Sequence, residues 1–525
     1  MAATELSPTL LTPVRADERI HAMDVLRGFA LLGIALMNVE FFNRSSAELG
    51  AGLAAGEGGT AHIVSWLMLW LVGSKFWVLF SLLFGMGFAL MLQRARARGG
   101  NFLRVYTRRT LALLAIGLVH AIGIWFGDVL VDYAVVAAML MLLWFGKFRH
   151  ALLLSIAMVA MALITGMAGA GSAVMLVVLA MVAGDWIRAP EGRMPRGLWL
   201  LFALGAALAL AGLMQAFSDA GRAAAFGLVG GLFVVLGWVA SRSRGEPRQR
   251  PLRAGIALYL LMPVIMMVGA GVLAAKPGAF MPSNEEGRKE MAENFEEHRA
   301  DSAAEVAAMR SPSYMDDIRV RIKYLQGTFG MLSTMGTMIL GVFLVGGWLL
   351  DRGAIAEPQA HARLWHRLLL AWPVCAGVAA FALWLAPRMP MGRLLNAREM
   401  LGMGLGLAVA LPMTLGYVAM ILRGLQGRLA PLLQTLAPAG RMALTNYLMQ
   451  SVICAFVFYG WGLHQWGMPR HVQVLFVLAM YAAQVLLSAL WLRYFRYGPM
   501  EWLWRWLTYG RRPTAALATG PGSPA

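Results

Sequence analysis

His120 is the residue whose surroundings most favour chemistry. It lies in an otherwise apolar run, residues 111–126, which is long enough to enter a membrane. Asp128 follows this run, and Asp132 and Tyr133 come one helical turn later. Charged groups inside a bilayer are costly, about 2.5–3.5 kcal/mol at a helix centre, and they commonly serve a function. We therefore predict that His120 is a general base oriented by Asp128, with Asp132 and Tyr133 near a bound substrate.

A purely structural interpretation of the same residues stays open. Asp128 is well placed to cap the helix that follows it, with Asp132 in the first turn of that helix. His120 would then be a neutral histidine that bonds a backbone carbonyl. Both interpretations need the same residue types at the same spacing, so the sequence does not choose between them.

Four more polar residues interrupt the apolar N-terminal segments. Asp24 and Arg27 are three residues apart, so they share a helix face and can form an ion pair that is either structural or ligand-facing. Asn38 lies farther along the same helix and can bond a neighbouring helix. Lys75 follows Gly73-Ser74, a sequence that favours a break in the helix, and a buried lysine needs an acid or a carbonyl as its partner. We include these residues among the candidates for substrate or cofactor binding.

A second polar stripe opens an apolar segment near the C-terminus. Arg441, Asn446 and Gln450 lie at its start, and the last two fall on one helix face. Polar residues that enter a membrane line a cavity or pair with other helices. We therefore predict that these three residues bind a ligand, with interhelical pairing as the alternative.

The composition predicts an all-α, polytopic transmembrane bundle. Hydrophobic residues make up 59% of the 525-residue chain and charged residues 14%, and the mean hydropathy is +0.64. We predict about fourteen spans, give or take two, near residues 24–43, 63–93, 110–127, 130–147, 151–170, 172–187, 197–216, 224–241, 253–274, 328–350, 367–386, 398–421, 441–460 and 470–492. Arginine-rich loops, such as the one around residues 94–109, place both termini in the cytoplasm.

The net charge of +18 is explained by such loops, and we expect no nucleic-acid partner. No metal motif, P-loop or nucleophile elbow is present, so no metal is expected. The predicted organisation has five parts: an N-terminal transmembrane core over 1–150, inserted spans over 151–275, an external charged segment over 276–327, a C-terminal transmembrane region over 328–510 and a disordered tail over 511–525.

Several segments resemble one family. They read RIHAMDVLRGFALLGIALMNVEFF, KFWVLFSLLFGMGFALML, RRTLALLAIGLVHAIGIWFGDVLVDYAVV, GRMALTNYLMQSVICAFVFYGWGL and FRYGPMEWLWRWLTYGRR. The chain resembles the YeiB-like family of bacterial inner-membrane proteins. That family is distantly similar to the heparan-α-glucosaminide N-acetyltransferases, which share the D-x-x-R-G opening of the first helix but carry a histidine motif that this chain lacks.

The resemblance implies a multi-pass protein of the bacterial inner membrane that moves an acyl group, acetyl above all, from cytosolic acyl-CoA to a cell-envelope acceptor such as a saccharide. Asp24 and Arg27 would then hold the acyl-CoA, and Arg441 or Asn446 would polarise the thioester. Membrane lipids and the acceptor are the expected partners, and a homo-oligomer is compatible with the sequence. A transporter or flippase for a small or lipid-linked metabolite, or a non-catalytic membrane protein, stays open.

Overall fold

The computed structural model describes residues 20–45, 58–98, 101–165, 168–191, 193–215, 219–242, 245–331, 334–387 and 394–514. The architecture is all-helical, as the composition predicts. Most of the tail predicted to be disordered, residues 515–525, lies outside the described residues. The N-terminal helices are α1 (His21–Asn43), α2 (Gly59–Leu67), α3 (Lys75–Arg98), α4 (Phe102–Gly123) and α5 (Leu130–Phe145).

The middle of the chain adds seven further helices, of which the last two form the charged segment. They are α6 (Phe148–Thr165), α7 (Ala168–Arg188), α8 (Arg196–Gln215), α9 (Ala220–Arg242), α10 (Arg250–Ala275), α11 (Glu285–Arg310) and α12 (Tyr314–Met331). The C-terminal part completes the bundle. It contains α13 (Met335–Asp351), α14 (Ala362–Leu385), α15 (Ala397–Leu425), α16 (Ala430–Gln434), α17 (Ala437–Arg441), α18 (Ala443–Phe458), α19 (Arg470–Tyr494) and α20 (Pro499–Tyr509).

The predicted count of about fourteen spans is not confirmed. Over the described ranges, nine helices are long and apolar enough to cross a bilayer, or ten if the bent pair α16–α18 is one span. Several predicted spans correspond to shorter helices: α5 has 16 residues and α13 has 17. These two helices are shorter than the usual spanning helix of about 20 residues, so they are not counted among the nine.

Close helix packing in the bundle depends on glycine. A Cβ atom on Gly85 of α3 would lie 2.1 Å from the carbonyl oxygen of Phe343 on α13, and one on Gly346 would lie 2.1 Å from that of Leu82. Small residues of this kind let transmembrane backbones approach each other. Gly87, two residues farther along the same helix, has open space beside it. Only Gly85 of that pair is therefore a packing residue.

The break predicted at Gly73-Ser74-Lys75 is confirmed. After α2 the chain forms a π-helical turn over Met68–Val72, and α3 begins at Lys75. Ser74 takes a left-handed conformation, with φ of 64°, which is unfavourable for a residue other than glycine. The break leaves carbonyl groups of the π turn without partners in the following helix, so side chains can bond them.

The charged segment forms two helices, α11 and α12, and it is more buried than its composition suggests. Surface ion pairs are present, including Arg299–Glu296 at 2.7 Å. Glu305, however, has no exposed surface and accepts a hydrogen bond from the Tyr324 hydroxyl at 2.5 Å. The pair packs against the bundle near the C-terminal end of α4. It is therefore an integral layer rather than a solvated connector.

Candidate functional site

His120 and Asp128 form a hydrogen-bonded pair in the interior. The Nδ1 atom of His120 lies 2.8 Å from Oδ1 of Asp128, and both side chains are 1% exposed. His120 lies in the last turn of α4 and Asp128 lies just before α5, so the hairpin between the two helices brings them together. An ionised carboxylate only accepts hydrogen bonds, so it holds the proton of the ring on Nδ1. The lone pair of His120 is then on Nε2, as a general base requires.

Asp128 also caps α5. Its Oδ2 atom accepts a hydrogen bond from the Val131 backbone N–H at 2.8 Å. The predicted cap of α5 is therefore present, and the same carboxyl group bonds His120 through its other oxygen. Gly117 makes the approach sterically feasible, because a Cβ atom there would lie 2.9 Å from Oδ2 of Asp128. Asp128 is consequently fixed from two directions.

The other ring nitrogen of His120, Nε2, is also buried. It has no hydrogen-bond partner among the described residues. Tyr447 of α18 packs beside the ring, with centroids 5.4 Å apart, and its hydroxyl accepts a hydrogen bond from the Val129 backbone N–H at 3.4 Å. We call His120, Asp128, Asp132 and Tyr447 the histidine site. Buried polar atoms without partners are costly, which favours a polar ligand at Nε2.

The two other residues predicted beside this pair have different surroundings. Asp132 lies near enough to Asp128 for their charges to interact, and its buried Oδ1 atom has no hydrogen-bond partner in the described part of the chain. The hydroxyl of Tyr133 lies 2.8 Å from that of Ser81 and donates to the carbonyl of Trp77 at 3.1 Å. Tyr133 therefore joins α5 to α3, and only Asp132 stays available for chemistry.

The remaining N-terminal candidates lie on α1 and at the start of α3. Asp24 and Arg27 form the predicted ion pair, with Nη1 to Oδ1 at 2.8 Å. Lys75 is 4% exposed and donates to the carbonyl of Leu69 at 3.3 Å, which is the carbonyl partner that we predicted for it. Asn38 is half-buried on α1.

The C-terminal polar stripe is used mainly for helix pairing. The amide of Asn446 donates to Ser488 at 2.9 Å, and that of Gln450 donates to Gln484 at 2.8 Å. Both partners are on α19, so this face of α18 is closed by another helix. Arg441 is the last residue of α17, which packs on the start of α1. The structure thus separates Arg441 from the stripe that it opens in the sequence.

A second buried polar group, which the sequence analysis did not identify, lies where α12 meets the bundle. Asp317 and Arg321 form a salt bridge in which both side chains are 1% exposed. The indole of Trp461 donates to Oδ2 of Asp317 at 3.1 Å, and Arg321 donates to the carbonyl of Ile122 on α4 at 3.3 Å. The i,i+4 spacing of the pair is visible in the sequence, but such spacing also suits an exposed pair. Only packing shows that it is buried.

Two further buried donors connect this group with the histidine site. Trp125 packs edge-on to His120 with ring centroids 6.3 Å apart, and Phe42 stacks on Trp125 at 4.5 Å. Tyr459 is next to Phe42 at 5.9 Å. Neither Trp125 Nε1 nor the Tyr459 hydroxyl has a hydrogen-bond partner among the residues described. These two buried polar atoms therefore lie on the way from His120 to the charged helices α11 and α12.

No group of three or more His, Cys, Asp or Glu side chains arranged for a metal occurs in the described residues. The histidine site itself combines a histidine with two carboxyl groups and neighbouring aromatic side chains.

Comparisons with known proteins identify relatives whose functions are not characterized. A family model described as "Protein of unknown function (DUF418)" matches residues 349–511. "Uncharacterized protein YxaH" of Bacillus subtilis is 25% identical over 520 residues, which are 95% of this chain and 96% of the relative. "Uncharacterized protein YeiB" of Escherichia coli is 26% identical over 507 residues, 94% of this chain and 96% of the relative.

A shorter match is closer in sequence. An "Uncharacterized 39.9 kDa protein in amylase 3' region" of Bacillus acidopullulyticus is 38% identical over 110 residues, which are 21% of this chain and 31% of that protein. No solved structure matches. The DUF418 match contains Tyr447, whereas His120 and Asp128 lie outside it, so the histidine site joins two regions of the chain. The two relatives that match almost the whole chain, together with the DUF418 match, support a YeiB-like family for this protein, whereas none of these matches is to an acetyltransferase.

Proposed function

We propose that this protein is a membrane-embedded acyltransferase that moves an acyl group, acetyl above all, from acyl-CoA to a hydroxyl or amine of a cell-envelope acceptor in the bacterial inner membrane. One observation carries the proposal. His120 is held through Nδ1 by Asp128 at 2.8 Å, while Nε2 is buried with no hydrogen-bond partner in the described chain. This arrangement is that of a general base in acyl transfer.

The reaction would proceed in two steps. Nε2 of His120 takes the proton of the acceptor O–H or N–H as that atom attacks the thioester carbonyl carbon. The carbon–sulfur bond then breaks, and the imidazolium returns the proton to the departing thiolate. The products are the acylated acceptor and a free thiol. Asp128 stays ionised throughout and stabilises the imidazolium, a role that an acceptor-only carboxylate at Nδ1 can fill.

Two buried polar atoms between His120 and α12 favour an acceptor that is rich in hydroxyl groups. Trp125 Nε1 and the Tyr459 hydroxyl can hydrogen-bond such an acceptor, and they lie between the histidine and α12. An acceptor from the envelope side would reach His120 past these groups. A saccharide is the acceptor class that this lining suits best, since aromatic rings also pack on its C–H faces.

The test uses inverted membrane vesicles, radiolabelled acetyl-CoA and an envelope extract as the acceptor source. Wild type should transfer label to glycan or lipid, and His120→Ala should reduce transfer by about 10²- to 10⁴-fold, the usual contribution of a general base. His366→Ala is the matched control, because His366 is exposed on α14 and should transfer as wild type does.

Equal amounts of folded protein must be confirmed for each variant by size-exclusion chromatography. Transfer that persists in His120→Ala would refute the assigned role of the histidine. No transfer by wild type, together with uptake of labelled metabolites that depends on His120, would instead favour the transporter alternative. The pairing of Asn446 and Gln450 with α19 argues against that alternative, since those residues then line no open path.

A further inference from the structure

Buried polar atoms without partners continue beyond the histidine site as far as α12. The hydroxyl of Tyr459 and Oδ1 of Asp317 are both buried, and neither has a hydrogen-bond partner within the described ranges. Tyr459 lies beside the guanidinium of Arg321, whose Cζ atom is 5.7 Å from the ring centroid, and Arg321 forms the salt bridge with Asp317. Together with Trp125 Nε1 and His120 Nε2, these atoms form a series between the α4–α5 hairpin and α12.

The outer end of this series is held in place by three elements. Oδ2 of Asp317 accepts hydrogen bonds from Arg321 of α12 and, at 3.1 Å, from the indole N–H of Trp461 in the loop after α18. Arg321 also donates to the carbonyl of Ile122 at 3.3 Å, and Ile122 is in the last turn of α4, as His120 is. Asp317 is therefore anchored beside the end of α4 through Oδ2, which leaves Oδ1 for another group.

The order of hydrogen-bonding groups along the series indicates the class of ligand. Nε2 of His120 and Oδ1 of Asp317 accept hydrogen bonds, the N–H of Trp125 only donates, and the hydroxyl of Tyr459 does both. An ammonium ion has no acceptor for Trp125, and a phosphate dianion has no donor for Asp317. Several neighbouring hydroxyl groups satisfy all four positions, because each hydroxyl both donates and accepts.

We propose that Asp317, Tyr459 and Trp125, the polyol site, bind a neutral saccharide. Oδ1 of Asp317 accepts a hydrogen bond from the part of the saccharide farthest from the reacting group, and Tyr459 and Trp125 bond the hydroxyls between that part and His120. This inference deepens the proposed function and rests on it, because it names the part of the acceptor that is held away from the reaction. Binding of such a remote part can position the reacting hydroxyl.

A ligand reaches the polyol site between α12 and the loop that follows α18. Tyr314 of α12 is 40% exposed, and its ring centroid lies 5.5 Å from that of Trp461 in the loop. Asp317, which bonds Trp461, is thus directly beneath residues that reach the surface. The charges of Asp317 and Arg321 regain hydration when the two elements separate, and this offsets part of the lost attraction. The boundary is therefore easier to open than an apolar contact of the same size.

The experiment measures binding of methyl β-D-glucoside to the full-length protein in phosphatidylcholine nanodiscs, by saturation-transfer NMR. We expect saturable binding by wild type. Tyr459→Phe should weaken that binding by about 3- to 10-fold, the effect of one lost hydrogen bond. The melting temperature of this variant should not fall, because the deleted hydroxyl has no partner in the described part of the protein.

Tyr106→Phe is the matched control. The Tyr106 hydroxyl is also buried without a partner in the described residues, but Tyr106 is in the N-terminal part of α4, whereas His120 is in its last turn. Loss of this hydroxyl should change glucoside binding by less than about twofold, since distant sites act independently. A reduction equal to that in Tyr459→Phe would overturn the proposal.

A second arm compares the glucoside with glucose 6-phosphate. The phosphate ester should bind at least about 10-fold more weakly, because burial of its charge is costly and Arg321 is already paired with Asp317. Equal binding of the two sugars would refute a site for neutral saccharides.

A free sugar and the headgroup of a glycolipid share this chemistry, and a third arm distinguishes them with nanodiscs that contain monoglucosyl diacylglycerol. Retention of the glycolipid that depends on Tyr459 and not on Tyr106, without binding of the free glucoside, would keep the polyol site and assign it to a lipid-linked sugar. Wild type that binds neither the glucoside nor the glycolipid would overturn the proposal.

The two proposals fail separately. Glucoside binding that depends on Tyr459, without acyl transfer in the vesicle assay, keeps the polyol site and refutes the acyltransferase. Acyl transfer that depends on His120, with glucoside binding unchanged by Tyr459→Phe, does the reverse. Size-exclusion profiles of each variant in detergent distinguish loss of binding from loss of fold.

Discussion

Tyr447 packs against His120 although the two residues are 327 positions apart in the chain, with ring centroids 5.4 Å apart. Tyr447 belongs to the DUF418 region, while His120 belongs to the N-terminal hairpin of α4 and α5. The Tyr447 hydroxyl accepts a hydrogen bond from the backbone N–H of Val129, and this bond joins α18 to the loop that carries Asp128. The geometry of the histidine site therefore depends on contact between the two regions.

From this contact we expect the ring of Tyr447 to contribute more to the free energy of unfolding than its hydroxyl does. Tyr447→Ala should lower the free energy of unfolding by about 3–5 kcal/mol, as for other large aromatic residues removed from a core. Tyr447→Phe should cost about 1–2 kcal/mol, because only the bond to Val129 is lost. Thermal unfolding of both variants in detergent measures the difference. A phenylalanine variant as unstable as the alanine one would contradict the prediction.

Asp128→Asn should abolish activity without unfolding the protein. An asparagine keeps one oxygen to cap Val131, but its N–H₂ group then faces His120 and favours a proton on Nε2. With the lone pair on the wrong nitrogen, acyl transfer should fall by about 10²- to 10⁴-fold. The vesicle assay measures transfer, and the melting temperature should fall by only a few degrees. Full activity of this variant would show that Asp128 does not orient His120.

The pair of Asp317 and Arg321 should be strongly coupled. Asp317→Ala leaves a buried guanidinium without its carboxylate, and we expect a loss of about 3–5 kcal/mol. The double variant Asp317→Leu, Arg321→Met should be considerably more stable than this single variant, since it buries no unpaired charge. A double-mutant cycle on thermal unfolding gives the coupling, and hydrogen exchange of α12 shows where the loss occurs. Additive effects of the two changes would mean that the ion pair is energetically unimportant.

The contact between α11 and α12 should become less stable at alkaline pH. The hydrogen bond from Lys323 to Asp301, 2.5 Å long, raises the pKa of Lys323 above its ordinary value. A raised pKa of an amine means that folding favours its charged form. The stabilising contribution is thus complete below a pH of about 10.4, the pKa in the unfolded chain, and is lost as the pH rises through the folded pKa.

Limited proteolysis of α11 between pH 9 and pH 12 tests this effect. Cleavage of wild type should accelerate across that window, whereas Lys323→Gln should show the faster rate throughout. The difference should be small, because Lys323 is exposed and exposed ion pairs contribute little. If cleavage of Lys323→Gln kept the wild-type pH dependence, the Lys323–Asp301 pair would be ruled out as the cause of that dependence.

The sequence by itself determined the class of the protein and the residues of its main pair. Long apolar segments have few folded alternatives to membrane-spanning helices, because their backbone polar groups must be satisfied internally. The spacing of His120 and Asp128 around a short loop brings them together by local geometry, so their contact followed from a few residues. The ion pair of Asp24 and Arg27 and the break before Lys75 were predictable for the same reason.

Tertiary structure decided everything that depends on contacts between distant segments. Asn446 and Gln450 have the composition of a ligand-binding stripe, and only the position of α19 shows that they pair with Ser488 and Gln484. The span count was not predictable, since hydropathy does not show where a helix ends within an apolar run. The burial of Asp317 with Arg321 likewise comes from helix packing. That packing is set by close glycine contacts whose partners are hundreds of residues away.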